Sequence, residues 1–246
     1  MNQKIEILSD KAALIERSLN LVVSKIEAAI AETDRCTIAL SGGSTPKALY
    51  AALAETNLPW EKIHVFWGDE RYVSADSPDS NQRMARGSWL NLVNIPEMNI
   101  HPIPTESGDP AADAQTYDRQ IQEFFGGSAA EVPVFDIILL GMGDDAHTAS
   151  LFPHTEALQV RDRLIAVGNK DGQPRITFTV PLINQARCVI FLVAGANKKD
   201  ALTQVFAPQA DPNTYPSRLI QPQNGELWWL LDRAADPEIR TLQDRS

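Results

Sequence analysis

Cysteine is nearly absent: the chain has two in 246 residues, Cys36 and Cys188, each inside an apolar run, "CTIAL" and "CVIFLVAG". That rules out a disulfide framework or a cysteine-based metal spacing, and both read as buried free thiols. No run reaches the roughly 18 apolar residues of a membrane span. The opening "MNQKIEILSD" lacks the basic-then-apolar layout of a secretory leader, so a soluble, cytoplasmic protein is expected. Positive charge is in short supply, with 22 Lys and Arg against 32 Asp and Glu and a net charge of −10. Such a field repels polyanions, which excludes nucleic acid as an expected partner. Two motifs are also missing: GxxxxGK[ST] of a phosphate-binding P-loop and GxSxG of a nucleophile elbow.

What is present fits one large α/β unit. At 246 residues and 43% hydrophobic content the chain is read as a single domain over 1–246. Apolar residues at helical spacing predict a first helix over 10–32. Short apolar runs then predict buried strands at 36–40, 63–67, 135–140, 164–167, 176–180, 188–194 and 227–231. Helical patterns fall at 46–54, 81–93, 110–125 and 197–206, the third with Asp109 as N-cap and Pro110 as first helical residue. Alternation of this kind predicts a mainly parallel, open Rossmann-like sheet with helices on both faces.

Strand-to-helix turns in such sheets collect along one edge, where ligands bind. Four turns carry the chemistry: "SGGSTP", "GDERYVSADSPDSNQRMAR", "GMGDDAHTASLFP" and "GANKKDAL". In the first, Ser41, Gly42, Gly43, Ser44 and Thr45 let backbone N–H groups approach a ligand, with Thr45 suited to an N-cap and Pro46 to the first helical position. A helix start there favours phosphate, although the same stretch also reads as an ordinary glycine-rich turn. Arg71 and Lys198 lie at other strand ends and are candidate phosphate cations. Arg83 and Arg86 share a helical face that either flanks the site or meets water.

His147 follows an apolar strand and has Asp144 and Asp145 beside it. Histidine takes a proton from water near neutral pH, and a carboxylate orients its ring. The GxGxxA pattern here is no dinucleotide site, because two aspartates would meet the pyrophosphate. His64 and His101 read as structural and His154 as a weaker candidate; no spacing supports a metal.

Taken in order, "LSGGSTPKALY", "FWGDERYV" with "SNQRMAR", "GMGDDAHTASLFP", "RITFTVPLIN", "VIFLVAGANKKDAL" and "ELWWLLDRAA" resemble the 6-phosphogluconolactonase group, which also includes glucosamine-6-phosphate isomerase/deaminase. The resemblance spans nearly the whole chain, and "HTASLFP" is its most specific part. It implies metal-free, cofactor-free hydrolysis of 6-phospho-D-glucono-1,5-lactone, a small-molecule substrate, in the oxidative pentose phosphate pathway. His147 is then the base, Asp145 or Asp69 its orienting carboxylate, and N–H groups of the 141–143 turn are oxyanion donors. The expected assembly is a monomer or weak homo-oligomer.

Two departures stand out. Ala146 replaces the family's usual glycine, at a cost of about 1 kcal/mol if its φ is positive, and Gln82 stands where tyrosine is more common. The isomerase relatives carry a glutamate five residues beyond the histidine, where this chain has Phe152, a ring unable to shuttle protons. A non-catalytic sugar-phosphate sensor is the other alternative.

Overall fold

The computed structural model describes residues 2–126 and 131–238, so Met1, 127–130 and 239–246 of the unit read as 1–246 lie outside the described residues. The chain opens with strand β1 (Asn2–Leu8) and helix α1 (Lys11–Thr33). The Asp10 carboxylate caps the start of α1 by accepting from the Ala13 N–H at 2.9 Å. Leu14, Ser18, Leu21, Val22, Ile26 and Ala29 fall on one helical face of α1 and are buried. Next come β2 (Cys36–Leu40), α2 (Ser44–Ala54), β3 (Ile63–Trp67), β4 (Asp69–Arg71), α3 (Asn81–Ala85), β5 (Ile100–His101) and α4 (Pro110–Phe125). Asp109 and Pro110 start α4 as expected, the aspartate accepting from Ala111 and Ala112. The chain continues with β6 (Ile137–Leu140), β7 (Ile165–Lys170), β8 (Gln173–Phe178), α5 (Val180–Asn184), β9 (Cys188–Val193), α6 (Lys199–Phe206) and β10 (Glu226–Asp232).

Seven strands form one parallel sheet in the order β1-β10-β9-β6-β2-β3-β5. Every residue of β2, β6 and β9 is buried, so both faces of the sheet centre are covered. From β2 the chain runs outward through β3 to β5, whereas from β6 it runs the other way through β9 to β10. The junction of β2 and β6 is thus the switch point, where diverging turns leave a crevice at the C-terminal ends. Cys36 and Cys188 are free and buried, as expected.

Three expectations are corrected. The runs at 164–167 and 176–180 do not join the parallel sheet: β7 and β8 form a hairpin that pairs antiparallel with β4 in a separate three-stranded sheet. The physical reason is "DG" between them, with Asp171 and Gly172 at φ 53° and 82°, the backbone twist a two-residue hairpin requires. The helix expected over 81–93 is α3 followed by a π-type turn over Arg86–Leu90. Helix α2 begins at Ser44 rather than after a Thr45 cap, with Gly43 at φ 111° in the cap position, a conformation threonine would not adopt.

Candidate active site

A cleft of about 470 Å³ opens at the switch point, within the size range of small-molecule sites. Its walls are the turn after β2 (Ser41–Pro46), Asp69 and Arg71 of β4, the turn after β6 with His147, and Asn197 and Lys198 after β9. The four turns singled out from sequence therefore do meet. Two further cations, Lys170 at the hairpin tip and Arg175 of β8, line the same space.

The β2 turn is held from below. Tyr50 of α2 is fully buried; its hydroxyl accepts from the Ser41 N–H at 3.0 Å and donates to the Ser41 carbonyl at 2.8 Å. The first turn of α2 then presents N–H groups with no intrahelical acceptor, and its dipole adds positive potential.

Arg71 and Arg175 sit directly opposite each other in the β4–β8 register. Like charges so placed destabilise a strand pair unless an anion lies between them. Burial, then the charge of Arg71, lowers the pKa of Arg175. One Arg71 nitrogen donates to the Asp79 carbonyl at 2.6 Å, which fixes the guanidinium, while Nε of Arg175 is buried with no partner among the described residues. Lys198 is not an isolated cation: it is hydrogen-bonded to Asp144, which also accepts from Asn197 at 3.0 Å. This bridge ties the β6 turn to the β9 turn, and its Lys198 hydrogen bond, the largest contribution, lowers the Asp144 pKa.

Nδ1 of His147 lies 2.5 Å from Asp145 Oδ1, and Asp145 also accepts from the His147 backbone N–H. Burial pushes the Asp145 carboxyl up, but hydrogen bonding and charge from the imidazole outweigh it and bring the pKa down to about 2. With Nδ1 occupied, Nε2 is left without a protein partner among the described residues. The turn is braced by Thr148 on the Gly141 carbonyl and by Ser217 on the Ala146 carbonyl. Ala146 is fully buried at φ 62°, so this chain does bear the left-handed cost anticipated for it. The Gly143 N–H, expected as an oxyanion donor, instead donates to the His147 carbonyl at 2.9 Å.

Asp69, 7% exposed, accepts from the Ser150 hydroxyl at 2.7 Å. Desolvation raises its pKa against the opposing pull of Ser150, Arg71, His147 and Arg175. It shares the cleft with His147, but the carboxylate bonded to the ring is Asp145. The Phe152 ring packs against the imidazole with centroids 4.5 Å apart.

Arg83 and Arg86 are turned elsewhere, to the Asp76 carbonyl and to Glu97. His154 contacts the Asn213 and Thr214 loop, and His64 and His101 stack on each other. From sequence alone Lys170 gives no sign of belonging here, and whether Arg175 reaches the pocket is open. An arginine at the start of "RITFTV" next to a "DG" hairpin was the available signal, but its significance depends on the β4 pairing.

A family described as glucosamine-6-phosphate isomerases/6-phosphogluconolactonase matches residues 9–229. The chain belongs to this family. Among family members, it is 64% identical over 240 residues to a 6-phosphogluconolactonase of Synechocystis, covering 98% of this chain and all of that one. A second, from Nostoc, is 64% identical over 97% of this chain and 99% of its own. The solved 6-phosphogluconolactonase of Trypanosoma brucei superposes with a TM-score of 0.85 at 34% identity, over 95% of this chain and 97% of that one.

Proposed function

We propose that the protein hydrolyses 6-phospho-D-glucono-1,5-lactone to 6-phospho-D-gluconate, with His147 as general base and Asp145 as its orienting carboxylate. The observation that carries this reading is the imidazole in the cleft, with Nδ1 on Asp145 and Phe152 against its face. The 6-phosphate sits against the Ser41–Thr45 turn, between Arg71 and Arg175 and beside Lys198. Phosphate binding fixes the lactone carbonyl near the ring. Nε2 takes a proton from water as its oxygen bonds to C1. The C1–ring-oxygen bond then breaks, and the imidazolium returns that proton to the departing ring oxygen, giving an acid that ionises in water. Asp69 offsets the charge of Arg71 and Arg175 beside it. The isomerase alternative lacks support in this cleft, since an apolar ring occupies the position of the needed acid.

The test is lactone hydrolysis above the spontaneous rate, with unphosphorylated gluconolactone and glucosamine-6-phosphate run in parallel. Selective hydrolysis of the phosphorylated lactone is expected. Replacing His147 by Ala should lower kcat by about 10²- to 10⁴-fold; an unchanged kcat removes it from the role of base, and saturable binding of 6-phosphogluconate with no hydrolysis identifies a sensor.

A further inference from the structure

Two neighbouring glycines in the β2 turn are required for different reasons. Gly43 has a φ of 111°, which side-chain-bearing residues rarely adopt. Gly42 has no such backbone demand; a Cβ there would instead stand 2.1 Å from Oδ1 and 2.7 Å from Cγ of Asn81. Asn81 is 2% exposed and cannot easily move aside. Its Nδ2 donates to the Asp69 carbonyl at 3.0 Å, and its backbone N–H donates to Glu70 at 2.8 Å. Glu70 is itself a buried carboxylate receiving the N–H groups of Arg71, Asn81 and Gln82 and the Ser80 hydroxyl. Oδ1 of Asn81 has no hydrogen-bond partner among the described residues and lies against the Gly42 backbone.

We infer that Asn81 is a positioning residue for the reaction, an amide spacer that sets the distance between the phosphate-binding turn and the β4 strand carrying Asp69 and Arg71. This rests on the function proposed above. One face of the amide touches Gly42 and the other holds the carbonyl of Asp69, so a shift of the amide moves the anion cradle relative to the arginine pair. Gly42 is then glycine because Asn81 needs the space.

The experiment is a double-mutant cycle read as kcat and KM for phosphorylated and plain gluconolactone, with a thermal melt of each variant. Gly42→Ala should lower kcat/KM for the phosphorylated lactone about tenfold in the parent, chiefly through KM, and much less in an Asn81→Ala background. Gly43→Ala, whose defect is backbone strain, should be equally harmful in both. Plain lactone should be affected less than the phosphorylated one by Asn81→Ala, because it does not use the cradle. Equal Gly42→Ala losses in both backgrounds would overturn the spacer role. Equal losses on both lactones would reduce Asn81 to a structural residue and overturn it too. Should the parent show no hydrolysis, the proposed function fails, and the same cycle is read as Kd for 6-phosphogluconate by calorimetry; additive effects there would sink the spacer as well. If Asn81→Ala does not fold, Asn81→Ser completes the cycle.

Discussion

Asp69 is a buried carboxylate whose main contact is a single hydroxyl, with two arginines and an imidazole nearby. Burial dominates, so its pKa is raised, and the ionised form costs stability at neutral pH. The sign follows: a group that binds its proton more tightly when folded gains stability as pH falls through the folded value. Asp69→Asn should therefore raise the melting temperature at pH 7, with the gap to the parent closing toward pH 4, while activity falls. Stability is exchanged for function at this one position. A melting temperature below that of the parent at pH 7 would show that the charge stabilises the fold.

Elements transmit such constraints over longer distances. Helix α2 supplies both the positive end of a dipole and Tyr50, whose hydroxyl satisfies both backbone groups of Ser41. Tyr50→Phe leaves a buried donor and acceptor unpaired, a cost of about 1 to 3 kcal/mol. Denaturant unfolding should show that loss, accompanied by a higher KM for the phosphorylated lactone.

At the other edge, β3 and β5 bring the His64 and His101 rings together, Nδ1 to Nε2 at 3.3 Å, with Phe66 stacked on His101 and Phe124 tilted against both. Burial, then the charge of His64, lowers the His101 pKa to about 4; burial, then Arg35, lowers that of His64. Both imidazoles hold protons less tightly when folded, so their contribution is full above pH 6.5 and lost as pH falls toward 4. The melting temperature should drop across that window, and His101→Phe, which keeps the stacking, should flatten the drop.

Over the whole molecule, the site exists because the order in which the chain adds strands reverses between β2 and β6. The central strands β2, β6 and β9 are buried throughout, whereas two-residue β5 ends the sheet and β1 is paired on one side alone. Amide exchange should accordingly be slowest in β2, β6 and β9 and much faster in β5, measured by hydrogen-exchange mass spectrometry. Uniform protection across the sheet would contradict that ordering. Among the described residues no helix is long and apolar enough to cross a membrane.

The amino-acid sequence by itself determined α1 and α4, whose periodicity and, at Asp109, cap are local, and the central strands, whose apolar runs have no other place to go. It also singled out His147 with aspartates beside it, whereas the choice of Asp145 over Asp69 as the carboxylate on the ring came from the tertiary structure. What lay beyond it were facts about partners distant in the chain. The hairpin of β7 and β8 had its turn written in Asp171 and Gly172, yet its pairing with β4 is a contact across about a hundred residues, and only that pairing sets Arg175 opposite Arg71. Lys198 looked like an unattached cation until the β6 turn delivered Asp144 to it. Asn81 in "SNQR" gave no sign of facing Gly42, because local composition encodes backbone preference while close approach between turns is decided by how the sheet brings them together.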